Sequence, residues 1–175
     1  LVLQSSSATM ALTLIMLNMG WVRFDMACAM VLGENIGTTI TANIAALVAN
    51  TSAKRAALAH TVFNLFGVIW ALATFPFLLK LVGGITSAIF GVPNPAADGF
   101  LVEASEEGAA VLSDSQTAAL YGLSMLHTLF NTINTLILVW FTRSIAKFVT
   151  HLVKERKDGR ELMSSEWHYV EVYNT

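Results

Sequence analysis

The sequence predicts an all-α membrane protein with a re-entrant or broken helix near its N-terminus. Three observations carry that prediction. The 175 residues are 55% hydrophobic and 13% charged, with a mean hydropathy of +0.62, whereas soluble domains carry about 25% charged residues. Residues 61–79 and 118–142 contain no Asp, Glu, Lys or Arg, and each approaches the ~20 residues that cross a bilayer core. Two polar clusters interrupt apolar sequence: Gln4-Ser5-Ser6-Ser7-Ala8-Thr9 and Gly33-Glu34-Asn35-Ile36-Gly37-Thr38-Thr39. Hydrocarbon offers no water to hydroxyls and amides, so such groups must meet a partner, a cavity or a ligand. Two interruptions this close together point to broken helices around a small-ion site.

Taken in order, residues 1–22 read as the second arm of a re-entrant hairpin or as half of a broken helix, because the apolar stretch 8–22 is short for a span. The chain opens on Leu1-Val2-Leu3 with no basic segment before a cleavable apolar stretch. No signal peptide is therefore expected, and the abrupt start predicts a piece of a longer protein. Residues 23–55 hold a membrane helix, 26–50, with a loosened centre at 33–37. Residues 56–143 hold the two uncharged helices, joined by an acidic loop at about 91–117. Pro93, Pro95, Gly99 and Gly108 break regular structure in that loop, and Asp98, Glu103, Glu106, Glu107 and Asp114 charge it without a single base. Residues 83–91 read as an interfacial segment leading into it. Pro76 is tolerable at a membrane helix end. Residues 144–175 form a basic tail: 144–157 continues as helix, and 164–175, with Trp167, Tyr169 and Tyr173 among acids, begins another, soluble element.

Basic residues fix the orientation. Lys54 and Arg55 precede the first uncharged run, and Arg143, Lys147, Lys154, Arg156, Lys157 and Arg160 follow the second. Both basic ends are therefore expected in the cytoplasm and the acidic loop outside, with Lys80 snorkelling at the outer interface. The net charge of -2 gives no basic field for nucleic acid. The lone Cys28 has no intrachain partner and reads as a small buried hydrophobe. No glycine-rich phosphate loop of the Walker type is present, and the serines have no His–carboxylate pair placed to activate them. Nothing here reads as an enzyme. One internal echo stands out: His60-Thr61-Val62-Phe63-Asn64 and His127-Thr128-Leu129-Phe130-Asn131 agree at four of five positions. It predicts two helices sharing a packing device, with His and Asn four apart on one face bonding across an interface. No metal-ligand spacing surrounds either histidine.

The two polar clusters resemble a known family. Gln4-Ser5-Ser6-Ser7-Ala8-Thr9 is similar to the QSSS signature of the type II sodium–phosphate cotransporters, and Gly33-Glu34-Asn35-Ile36-Gly37-Thr38-Thr39 is similar to the GxNxGTT element that follows it. The Ala-Asn-Ile-Ala stretch at 42–45 and the His-Thr-Val-Phe-Asn helix fit the same pattern, so the resemblance covers about 4–149. It implies two inverted repeats, each with one QSSS motif, and substrate and sodium bound between them. This chain, with one copy, resembles the second repeat of a bacterial member. The first repeat is then a missing partner, and 144–175 leads toward a PhoU-like cytoplasmic domain. The implied function is sodium-coupled symport of inorganic phosphate across the cytoplasmic (inner) membrane by alternating access, with sodium the co-transported ion and no organic cofactor. Glu34 departs from the family pattern, where the residue is commonly small.

The chemistry is compatible with that role. Phosphate needs hydrogen-bond donors more than full counter-charges; hydroxyls and a helix N-terminus provide them. Sodium needs oxygen ligands, and amide, hydroxyl and backbone oxygens serve without repelling an anion. Two neighbouring ions of opposite sign raise each other's affinity. Ser5, Ser6 and Ser7 are the expected phosphate contacts. Gln4, Thr9, Asn35, Thr38 and Thr39 are expected to ligate sodium or support the groups that do. Glu34 is either an ion-linked carboxylate, a partner for a base such as Arg23 or for the missing repeat, or a group facing a hydrated vestibule. The rival use of the serines is a helix cap with close helix packing; for Asn35 and its glycines it is a tight turn. Transport of another small anion, and a membrane anchor or sensor in phosphate signalling, remain alternative functions.

Overall fold

The computed structural model describes residues 6–103 and 112–154, with the side chain of Ser6 left aside. Among the described residues every regular element is helical: α1 (Ser6–Asn18), α2 (Phe24–Ala46), α3 (Thr51–Ala73), α4 (Phe75–Phe90), α5 (Asp114–Leu138), a 3-10 turn (Val139–Phe141) and α6 (Thr142–Leu152). The all-helical architecture is as the sequence predicts. Helix α3 and the run Asp114–Leu152 are each long and apolar enough to cross a membrane. The soluble element expected at 164–175 and the acids Glu106 and Glu107 lie outside the described residues.

Helix α1 has 13 residues, about 20 Å at 1.5 Å per residue, shorter than the ~30 Å hydrocarbon core. It turns back through Gly20, whose φ of 70° is costly for any side chain with a Cβ, and packs against α2. Gln116 of α5 donates from Nε2 to the Asn18 carbonyl at 3.1 Å, pinning the end of α1 to the start of α5.

Helix α2 corrects an expectation. It runs unbroken from Phe24 to Ala46, with no loosening at 33–37. The polar residues satisfy themselves without opening the helix, each returning a side-chain hydrogen to a carbonyl one turn back. Asn35 Nδ2 donates to Val31 O at 3.0 Å, Thr38 Oγ1 to Glu34 O at 3.0 Å, and Thr39 Oγ1 to Ile36 O at 2.8 Å.

The span expected at 61–79 is also redrawn. Helix α3 starts at Thr51, capped by Asn50, whose side chain accepts from the Ala53 N–H at 2.9 Å. It stops at Ala73, and α4 begins with Pro76 in its first turn. Proline has no N–H to donate and crowds the preceding turn, so it ends one helix and suits the start of another. Residues 83–91 are thus the second half of α4 and its C-cap, Gly91 at φ 66°. The second span begins at Asp114 behind a capping box between Ser113 and Gln116.

Phe24, Val31, Leu32, Val68, Leu123 and Phe130 belong to one buried cluster joining α2, α3 and α5; Cys28 is fully buried within it, as expected. Helices α3 and α5 approach closely at Gly67, where a Cβ would sit 2.9 Å from Phe130 Cζ. Trp70 and Phe130 stack there at 5.9 Å. Arg55 Nε donates to Val153 O at 3.0 Å, so the basic start of α3 and the basic end of α6 share one end of the bundle. Large apolar groups face outward elsewhere, among them Trp140, Val48 and Leu47. Such a surface is costly in water and suits hydrocarbon or a further protein surface.

Candidate functional site

Near the middle of the bundle a pocket of about 330 Å³ opens between four helices. Ser7 and Met10 reach it from α1; Glu34, Asn35 and Thr38 from α2; His60 and Asn64 from α3; His127 from α5. Positions 34 and 38, and 60 and 64, are one helical turn apart and so share a face. Glu34 and Asn35 fall at the centre of α2, His60 within a turn of the centre of α3, and His127 beside the centre of α5. Ser7 stands at the opening of α1, where free N–H groups and the helix dipole favour negative charge. The volume is at the small end of ligand pockets. It suits an ion with some of its water.

The hydrogen bonding gives the walls different characters. Asn35 and Thr38 have each committed a hydrogen to their own helix, and Asn64 Nδ2 donates to His60 O at 3.1 Å. Amide and hydroxyl oxygens are acceptors of the kind that suits a cation. On the donor side are the Ser7 hydroxyl, the two imidazoles and the second amide hydrogens of Asn35 and Asn64. Among the described residues no Lys or Arg lines the pocket. Among the described residues no group of three His, Cys, Asp or Glu side chains is placed to hold a metal ion.

Of the residues singled out from sequence, Ser7, Glu34, Asn35 and Thr38 meet in this pocket. Ser6 opens α1, while Gln4 and Ser5 lie outside the described residues. Thr9 and Thr39 do not line the pocket. Thr9 is half-buried, and its carbonyl accepts from Thr13 Oγ1 at 3.0 Å. Thr39 is buried on another face of α2, in a cleft against α3 with Asn43 and Thr61. Arg23 is not the partner of Glu34: its guanidinium grips Asp25 at 2.9 Å, at the start of α2.

The His–Asn echo also proves different from its expected use. Asn64 and Asn131 each bond the backbone carbonyl of the histidine one turn back, at 3.1 and 2.8 Å, so among the described residues the bond expected across the interface is made within each helix instead. The bridge is Asn134, which donates from Nδ2 to Phe63 O at 3.1 Å and accepts from Trp70 Nε1 at 3.2 Å. His60, Asn64 and His127 are the site residues that sequence reasoning missed. The repeated His-Thr-x-Phe-Asn segment was the signal for them.

A model of the Na+/Pi-cotransporter family matches residues 1–92, from the QSSS segment through α4. The Bacillus subtilis (strain 168) protein YqeW, itself uncharacterized, is 38% identical over 95 residues, covering 54% of this chain and 29% of that protein. The human sodium-dependent phosphate transport protein 2C is 43% identical over 71 residues, covering 38% of this chain and 12% of that protein. The chain thus spans less than a third of the length of these relatives. No solved structure matches significantly. With the family matched over more than half of its residues, and with helices able to cross a membrane, the chain belongs to the Na+/Pi-cotransporter family of membrane transporters.

Proposed function

We propose that the chain is one repeat of a sodium-coupled symporter that carries inorganic phosphate across the cytoplasmic membrane by alternating access. One observation carries the reading: Ser7 of the QSSS segment and Glu34, Asn35 and Thr38 of the second motif line one polar pocket midway along the helices. Substrate sites of repeat-built transporters lie near the bilayer midplane, where short helices present their N-termini to anions. Helix α1, acting as a re-entrant arm, supplies that N-terminus. The oxygens of Asn35 and Thr38 supply ligands for sodium, and Gln4, Ser5 and Ser6 complete the phosphate contacts. The other repeat closes the pocket, and the basic end of the bundle faces the cytoplasm.

The test is uptake of radiolabelled phosphate into proteoliposomes holding the full-length protein. Uptake is expected under an inward sodium gradient and not under potassium. Ser7→Ala removes a hydroxyl donor, so the half-saturating phosphate concentration should rise about tenfold, the equivalent of ~1.4 kcal/mol. Equal uptake in potassium, or an unchanged phosphate dependence in the variant, counts against the reading. Competition by unlabelled anions separates phosphate from other small-anion cargo.

A further inference from the structure

Phosphate and sulfate are tetrahedral oxyanions of similar size, and they differ in one respect that a protein can read. Near neutral pH phosphate keeps at least one P–OH, whereas sulfate offers acceptors alone. A pocket built only of donors takes both. A pocket that also holds a fixed acceptor favours the protonated anion, because the same acceptor facing a bare oxyanion oxygen is left unpaired and repelled.

The pocket contains such an acceptor. Glu34 lines it with Ser7, His60 and His127, and an ionised carboxylate can only accept. It is the sole carboxylate there among the described residues, and no Lys or Arg lines the cavity to neutralise it. Arg23 is engaged by Asp25. The donors that complement it are the Ser7 hydroxyl, the ring N–H groups of the two imidazoles and the second amide hydrogens of Asn35 and Asn64. Asn35, Thr38 and Asn64 each turn one side-chain hydrogen to their own helices, and the second amide hydrogens of the two asparagines add donors to the wall, so Glu34 stays the one carboxylate acceptor there among the described residues.

We propose that Glu34 sets the anion specificity of the site. Its carboxylate accepts a hydrogen bond from the substrate's own P–OH, while Ser7, His60 and His127 donate to the remaining oxygens. The site then takes phosphate and its close analogue arsenate and excludes sulfate. The inference rests on the pocket being the anion site. It goes further by assigning discrimination to a carboxylate and anion contact to two histidines.

The decisive experiment is calorimetric binding of phosphate, arsenate and sulfate, in sodium chloride, to the detergent-solubilised full-length protein. The wild type is expected to bind phosphate and arsenate and to show sulfate at least about a hundredfold weaker. Glu34→Gln supplies an amide that can donate to sulfate, and the phosphate-to-sulfate preference should fall at least about tenfold. Glu34→Asp keeps the acceptor, and should keep the preference. It also guards against a fold defect in the Gln variant. His60→Ala and His127→Ala should weaken phosphate several-fold, with partial rescue by Gln. Sulfate binding as tight as phosphate in the wild type overturns the proposal, as does a Gln variant with undiminished preference. A Glu34→Gln change that moves only the sodium dependence makes Glu34 a cation ligand and overturns it too. Failure of sodium-driven uptake with the anion preference intact would sink the symport reading alone and leave this one standing.

Discussion

Asn134 is fully buried on α5 and joins two elements of α3, accepting from the Trp70 indole N–H and donating to the Phe63 carbonyl. It fits because Gly67 leaves room; a Cβ there would sit 2.6 Å from Asn134 Nδ2. Removing the amide leaves a half-buried indole donor and the Phe63 carbonyl without this partner, which costs more than the bond itself contributed. Asn134→Leu is therefore expected to destabilise the detergent-solubilised protein by about 1–3 kcal/mol, read as a lower apparent melting temperature. Gly67→Ala should do similar damage by pushing the amide out of place. Because both changes break one contact, the double variant should lose less than the sum of the two. Strict additivity would show that the seam does not depend on this contact. Asn134 lies within the uncharged run 118–142 with nothing beside it to set it apart. The sequence could not reveal that the cross-helix bond belongs here and not to Asn64 or Asn131, since each of those asparagines closes on its own backbone.

The helices show which kinds of signal the sequence carries. The start of α5 carried a signal that the charge-free run 118–142 passed over: Ser113 and Gln116, within the segment expected as loop, have the spacing of a capping box, and both bonds form, at 3.2 and 3.0 Å. Ser113→Ala should cost about 1 kcal/mol locally, seen as amide exchange in the first turn of α5 about fivefold faster. Unchanged exchange would mean that Gln116, held by the Asn18 carbonyl, fixes the end without the serine. The limits of α3 and α4 were less legible. A charge-free window marks what hydrocarbon tolerates and not where a helix stops, so the run 61–79 passes across Thr74 and Pro76 as if no boundary existed. The break expected in α2 fails for a related reason. Thr and Asn inside a membrane helix need a partner, but their own i−3 and i−4 carbonyls suffice. The motifs were legible as chemistry. That α1, α2, α3 and α5 bring them to one pocket depends on which helix faces meet, and spacing along one chain does not determine that.

The arrangement of charge along the bundle has a consequence for how the chain sits in a membrane. Arg55 reaches Val153, so the basic residues of α3 and α6 mark a single end. At the other end the α1–α2 turn, the start of α5 and the described part of the acidic segment come together: Gln116 holds Asn18, and the Glu103 N–H donates to Ser115 Oγ at 3.1 Å. Positive residues stay on the cytoplasmic side, so these two ends should face opposite compartments, with the polar pocket at the middle of α2, α3 and α5 between them. Cysteine labelling tests this cleanly because the native Cys28 is fully buried and should stay silent. In intact cells a membrane-impermeant maleimide should label Asp98→Cys, on the exposed loop, and spare Ser52→Cys, at the start of α3. After the membrane is opened both should react. Labelling of both from outside would place the two ends in one compartment. That would remove the midplane position on which an ion site reached alternately from either side depends.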